Sequence, residues 1–231
     1  MKCAIASFAK TPGLSPVKTR LAAEIGNKLS EIFYCMSVDA VEEVLLQVSS
    51  KSGNLIKPFW ALAEKNGAAN SMWSRIPAIW TGEGDLGRRL FNVSHQLFKY
   101  YDGVIMTGTD SPQLEPRILA DAFTRMNSSG DQCIIGPSFD GGFYLFGSSF
   151  QVPEYIWTNV VYSRNDTLEQ LLHGLKEAGI KFSFLQKMAD ADTYADLEIV
   201  AASLRENREK NLPAQKSLSD WLDDLLAGKI K

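Results

Sequence analysis

Apolar residues along the chain fall into short continuous runs separated by longer stretches of helical period. Residues 2–8 (KCAIASF) are the first run, and they have the length and continuity of a buried strand. A loop rich in Pro, Gly and Lys follows, and then a long periodic stretch from Leu29 to Val48, broken by S-S-K-S-G-N. Residues 57–63 (KPFWALA) read as a second strand, followed by a short helix around Trp73, a three-residue strand Ala78–Trp80 and a helix from Leu86 to Tyr101. VIMTG at 104–108 is the fourth strand, and a helix from Pro116 to Met126 leads to CIIGP (133–137) and FYLFG (143–147). The last two runs are too close for a crossover helix, so FYLFG is expected to run antiparallel. The final third predicts a helix over Thr167–Ala178, a strand at 181–185 (KFSFL), a helix opening at Thr193 and an amphipathic tail, Leu218–Ala227.

Strand and helix alternate throughout, which predicts an α/β fold: a single-domain three-layer α/β/α sandwich with a mostly parallel, mixed sheet. No internal repeat or linker interrupts it, so one domain is expected over 1–231, ending in a helical tail at about 213–228. In that tail Trp221, Leu222, Leu225 and Leu226 share one stripe, which is expected to close the core rather than form an interface.

Composition narrows the chemistry. The 231 residues are 45% hydrophobic and 22% charged, as in ordinary globular proteins, and carry a net charge of −3, which speaks against nucleic acid as a partner. No apolar run reaches the roughly 20 residues of a membrane span, and no apolar leader follows Met1. Cys3, Cys35 and Cys133 lie in apolar runs without C-x-x-C spacing, as reduced thiols of a cytoplasmic protein do. The two histidines, His95 and His173, fall in separate helical segments, so triad chemistry and imidazole-rich metal sites lack material. Any metal must be held by oxygen.

Five stretches carry candidate chemistry. Gly82-Glu83-Gly84-Asp85-Leu86-Gly87 is a literal G-x-G-x-x-G. A dinucleotide site would however place two acids beside a pyrophosphate, after a very short strand. A tight turn with Asp85 as helix N-cap is the plainer alternative. After strand 2–8, Lys10, Lys18 and Arg20 crowd a loop shaped by Pro12, Gly13 and Pro16. Cations at a strand's carboxyl end suggest a bound phosphate, or else a solvated basic loop. Thr109-Asp110 ends the fourth strand and suits a hard divalent cation, although Asp110 or Ser111 could instead cap a helix opening at Pro112. Asp190-Ala191-Asp192-Thr193 repeats the acid-at-strand-end pattern, with Thr193 and Asp196 as a capping pair, and the two acid sites could share one cation. Asp140-Gly141-Gly142 allows either close ligand approach or a plain turn.

In order, Phe8-Ala-Lys10-Thr-Pro12, Val17-Lys18-Thr19-Arg20-Leu21, Gly84-Asp85-Leu86-Gly87, Gly108-Thr-Asp110-Ser-Pro112, Gly136-Pro-Ser-Phe-Asp140-Gly-Gly142-Phe-Tyr144-Leu and Asp190-Ala-Asp192-Thr-Tyr-Ala-Asp196-Leu span about residues 2–200. Together they resemble the bacterial glycosyltransferase-like family related to 2-phospholactate guanylyltransferase, within the nucleotide-diphospho-sugar transferase (GT-A) superfamily. The loop departs from the family's K-x-P-x-P-G-R-V-K-T-R in its early glycine and missing arginine.

The resemblance implies a Mg²⁺- or Mn²⁺-dependent nucleotidyl- or glycosyltransferase acting on a nucleotide or nucleotide sugar and a small-molecule acceptor. It implies Asp110 and Asp192 as metal ligands, and Lys18, Arg20 and Asp110 as the catalytic group. Lys10, Pro12, Gly13, Lys18, Arg20, Asp85, Gly87 and Thr109 would contact the nucleotide, and Asp140, Gly141 and Gly142 would line the substrate side. A non-catalytic nucleotide-binding protein and, further off, an NAD-dependent oxidoreductase are the alternatives.

Overall fold

A computed structural model describes residues 1–128 and 132–230. The apolar runs become seven strands of one sheet: β1 (Cys3–Ala9), β2 (Ile56–Leu62), β3 (Ala78–Trp80), β4 (Gly103–Gly108), β5 (Gln132–Pro137), β6 (Phe143–Ser148) and β7 (Lys181–Phe184). The helices are α1 (Thr19–Ile25), α2 (Asn27–Lys51), α3 (Leu86–Leu97), α4 (Pro116–Ser128), α5 (Glu154–Thr158), α6 (Thr167–Glu177), α7 (Tyr194–Glu206) and α8 (Pro213–Leu226).

The strand order is β3-β2-β1-β4-β6-β5-β7, and β6 alone runs against its neighbours. FYLFG is thus the antiparallel strand, inserted between β4 and β5. The chain builds outward from β1 through β2 to β3, then returns to β1's other side as β4. The order therefore reverses between β1 and β4, where an open α/β sheet leaves a crevice beyond the strand ends. Registers of Ala9 with Leu62 and Phe8 with Gly108 bring the ends of β1, β2 and β4 to one level.

Residues of both sheet faces are buried, as the continuous apolar runs require. One core layer joins Ile5, Trp60 and Ile105 to the inner stripes of α2 and α4. The other joins Ala6, Met106 and Phe146 to α3, α5 and α6, with the Phe146 and Trp157 rings edge to face at 4.7 Å. A third cluster packs α8, through Leu218, Leu222 and Leu225, against α2 and α7 beside Phe33 and Leu21. Trp221 and Leu226 lie partly buried against it, so the tail helix closes the core.

Three local expectations change. Helices α1 and α5 are too short to leave a periodic signal, and Trp73 belongs to 3₁₀ turns rather than to an α-helix. Helix α3 ends at Leu97, short of Tyr101. Helix α4 begins at Pro116, so Pro112 opens no helix and neither Asp110 nor Ser111 is a cap.

Candidate active site

The loop after β1 is fixed from three sides. The Tyr34 hydroxyl donates to the Lys10 carbonyl at 2.7 Å and accepts the Lys10 N–H at 2.8 Å. The Thr11 N–H donates to Glu64 Oε2 at 2.9 Å, and the Trp73 indole donates to Thr11 Oγ1 at 3.1 Å. Lys18 then turns left-handed (φ 47°, ψ 45°) at the N-cap of α1, a conformation that costs a non-glycine residue about 1–2 kcal/mol. The turn drops its side chain inward.

Two acidic loops are stitched together beneath it. The Ala191 N–H donates to the Asp110 carbonyl at 2.8 Å, Gln113 Nε2 to the Ala189 carbonyl at 2.7 Å, and Ser111 Oγ to Asp190 Oδ1. Thr193 and Asp196 form the expected capping box on α7, and Asp196 Oδ2 also accepts the Asp192 N–H at 3.1 Å. These bonds bring Asp110 and Asp192, far apart in sequence, onto one point.

That point is held by Lys18. Its Nζ lies 2.5 Å from Asp110 Oδ1, 3.3 Å from Asp192 Oδ1 and 2.7 Å from the Ala191 carbonyl. Arg20 reaches Asp192 Oδ2 at 2.8 Å. The Lys18 side chain is 3% exposed, while Asp110 is half exposed. Burial alone would lower the Lys18 pKa, but the carboxylates, Asp110 foremost, outweigh it and hold the ammonium above its ordinary value. The carboxyl of Asp190, half-buried behind them, is pushed up to about 7, chiefly by desolvation.

Two hollows meet at this cluster. The larger, of about 590 Å³, lies over the ends of β1, β2 and β4 and is lined by Lys10, Lys18, Tyr34, Thr81, Arg89 and Thr109, among others. The smaller, of about 270 Å³, runs toward β6 and is walled by Met106, Phe143, Tyr144 and Tyr162, with Ser111, Ser138, Asp140, Arg164 and Asp190 as polar groups. Phe8, Arg20, Leu86, Asp110, Ser163 and Asp192 line both.

Lys10, Lys18, Arg20, Thr109, Asp110 and Asp192 are therefore brought together as expected. Asp140 and Gly142 line the smaller hollow, where Asp140 Oδ1 accepts the Gly142 N–H at 2.9 Å and closes the β5–β6 turn. Gly141 supports that hollow from behind (φ 91°): a Cβ there would sit 1.9 Å from the Asn165 carbonyl oxygen.

Four residues are not brought in. Pro12 and Gly13 form a turn closed on the Thr11 carbonyl, and Gly13 lines a separate hollow with Asn27 and Glu31. Asp85 is the N-cap of α3, accepting the Arg88 N–H at 2.9 Å. Gly87 is a packing glycine, because a Cβ would lie 2.3 Å from the Trp157 carbonyl oxygen. The G-x-G-x-x-G is thus a turn, a cap and a helix contact, not a dinucleotide loop.

Tyr162, Ser163 and Arg164 went unread because no periodicity marks them, and Ser111 had only the reading of a helix cap. Arg89 fell on a helical face, where a solvated cation is the default reading. It instead donates from Nη1 to the Ala63 carbonyl (3.1 Å) and Thr81 Oγ1 (3.3 Å) at the floor of the larger hollow.

The fold is the one found in solved nucleotide-diphospho-sugar transferases and nucleotidyltransferases. Residues 57–164, less than half of the chain, match the family described as "Uncharacterized protein conserved in bacteria (DUF2064)". No curated protein is similar enough in sequence to count as a relative. Among solved structures, one described as a nucleotide-diphospho-sugar transferase from Desulfovibrio desulfuricans superposes with a TM-score of 0.76 at 21% identity, covering 94% of this chain and 98% of that one. The CMP:2-keto-3-deoxy-manno-octonic acid synthetase complexed with CTP gives a TM-score of 0.54 at 17% identity, covering 89% and 100%. The glucosyl-3-phosphoglycerate synthase of Mycobacterium tuberculosis, in complex with Mn²⁺, UDP and phosphoglyceric acid, gives 0.51 at 9% identity, covering 92% and 79%. At these identities the likeness is one of fold.

Proposed function

We propose that the chain is a transferase that takes a nucleotide donor in the larger hollow and a small acceptor in the smaller one. The observation that carries this reading is the meeting of the two hollows on Asp110, Asp192 and Arg20, at the reversal of strand order. Neighbours of the same fold hold CTP, or Mn²⁺ with UDP and phosphoglyceric acid, which supports the assignment.

The donor set suits a hard divalent ion. Asp110 Oδ1, Asp192 Oδ1 and the Ala191 carbonyl already surround one cationic centre, and Mg²⁺ or Mn²⁺ takes one or two carboxylates plus phosphate oxygens. Among the described residues no group of three or more His, Cys, Asp or Glu side chains is placed to hold a metal, so phosphate oxygens and water would complete the shell. Such an ion, when bound, offsets charge on the phosphates.

The protein's own groups do the rest. Lys10 and Arg89 draw the phosphates and base into the donor compartment, and Thr109 lines its floor. Arg20, at the junction, offsets charge building on the departing phosphate. Asp140 and Gly142 line the acceptor side. In nucleotidyl transfer an acceptor oxygen bonds to the α-phosphorus and pyrophosphate leaves. In glycosyl transfer it bonds to the sugar's anomeric carbon and a nucleoside diphosphate leaves.

The test is a thermal-shift panel of nucleoside triphosphates, GTP first given the motif resemblance, and nucleotide sugars, each with and without Mg²⁺. Product release with phosphorylated and carboxylated acceptors follows. Pyrophosphate identifies a nucleotidyltransferase, and a nucleoside diphosphate a glycosyltransferase. Stabilisation without either product across the acceptor panel reduces the protein to a nucleotide binder, and no stabilisation refutes the proposal.

A further inference from the structure

The cation position between Asp110 and Asp192 is filled by the protein itself. Lys18 is an inward-turned side chain with three oxygen partners, committed to this one place. With Arg20 on Asp192, each of the two carboxylates that an ion would need is already paired with a cationic side chain. A divalent ion cannot share the position. It would compete for the same carboxylate oxygens at contact distance from an ammonium, where like charges repel strongly. Displacing Lys18 without a new partner strands its charge in a buried site, which is also unfavourable. Lys18 does, however, line the larger hollow as well as the acid pair, so a phosphate bound there can accept it.

We propose that Lys18 is a resident stand-in for the divalent cation: it holds the Asp110–Asp192 position in the ligand-free protein and yields it when a phosphate in the larger hollow takes its ammonium. Metal and phosphate therefore enter together, each strengthening the other's binding, as linkage demands. This rests on the reading of a phosphate-bearing donor with a divalent ion. It adds that the free protein is guarded against metal, and that the loop cation and the metal exchange places rather than act side by side.

The experiment is a Mn²⁺ titration followed by the EPR signal of free Mn²⁺, on wild type, Lys18→Met and Lys18→Gln. Each is measured alone and with tripolyphosphate, with a protein-free Mn²⁺–tripolyphosphate titration subtracted and Mn²⁺ retained with the protein read after rapid filtration, once its melting curve confirms folding. Wild type alone is expected to bind Mn²⁺ at least tenfold more weakly than either variant. Tripolyphosphate is expected to tighten Mn²⁺ binding at least tenfold in wild type and less than threefold in the variants. Adding Asp110→Asn to Lys18→Met should abolish the gain, which places the ion at the acid pair.

Equal Mn²⁺ affinity in all three proteins without tripolyphosphate overturns the proposal, as does a wild type that binds Mn²⁺ as well without tripolyphosphate as with it. Both results leave the transferase reading standing, because that reading is judged by nucleotide stabilisation and product release.

Discussion

The two compartments are built by different means. The larger is built around the loops after β1, β2 and β4, and the first of these is held by hydrogen bonds with Tyr34, Glu64 and Trp73. The smaller takes its outer wall, residues 162–166, from a segment distant in sequence: the Thr167 hydroxyl at the start of α6 donates to the Val161 and Arg164 carbonyls at 3.1 and 2.8 Å, and the segment docks where Gly141 presses against Asn165 and the Gly141 carbonyl accepts the Leu168 N–H at 2.8 Å. One compartment is shaped by strand ends and charge, the other by packing between distant segments. In the proposed reaction the first meets a donor defined by phosphates, and the second an acceptor that differs from one enzyme to the next. The fold thus keeps the phosphate chemistry on its rigid edge and leaves the variable partner to a wall that can change with little cost to the sheet.

Substitutions can break this division, and the largest effect belongs to a residue both compartments share. Asp110→Asn keeps the size and the polar contacts of the side chain but removes the charge. Turnover should fall at least a thousandfold, about 4 kcal/mol in the barrier, with acceptor and donor equally affected in steady-state kinetics. A loss under tenfold would remove Asp110 from the chemistry. Gly141→Ala comes next. Its Cβ cannot coexist with the Asn165 carbonyl, so the wall must shift, at about 2–4 kcal/mol in stability. The acceptor KM should rise at least tenfold while the melting shift given by a donor nucleotide stays unchanged. If donor binding weakens as much, the two compartments are not separately built.

How much of this was legible follows the same line. The sheet, its reversed strand β6 and the larger hollow's Lys10, Lys18, Arg20, Thr109 and Asp110 were readable because each lies at the end of a continuous apolar run or on the loop that follows it. Asp192 was readable from its repeat of the same pattern. Tyr162, Ser163 and Arg164 were not, since nothing local marks a segment whose position is set by Gly141 far away in sequence. The glycines misled in one place. Gly87 carries the spacing of a nucleotide loop, yet serves the close approach of α3 to the Trp157 carbonyl. Lys18 was expected to face phosphates and is found on the acids instead, because sequence cannot show that a left-handed turn points it at them.

Arg89 tests the donor side alone. Its guanidinium is tied to the Ala63 carbonyl and Thr81 Oγ1 at the compartment floor, away from the smaller hollow. Arg89→Ala should weaken donor binding about tenfold, or 1.4 kcal/mol, with the acceptor KM within a factor of two. A larger change on the acceptor side would mean that the floor and the far wall communicate.

The smallest effect comes from the residue that serves both sides without touching either. Thr193 caps α7, and its partner Asp196 accepts the N–H groups of Asp192 and Thr193 at 3.1 and 2.8 Å, fixing the backbone from which the Asp192 carboxylate projects. Thr193→Ala removes one half of that reciprocal cap, at about 1 kcal/mol of stability. It leaves every hollow-lining side chain in place. Because Asp192 lies at the junction, loosening it should raise donor and acceptor KM by the same small factor, about three- to fivefold for a comparable free energy. Serine at the same position keeps the hydroxyl and should restore both. A change confined to one substrate would show that Asp192 belongs to that compartment rather than to the boundary between them.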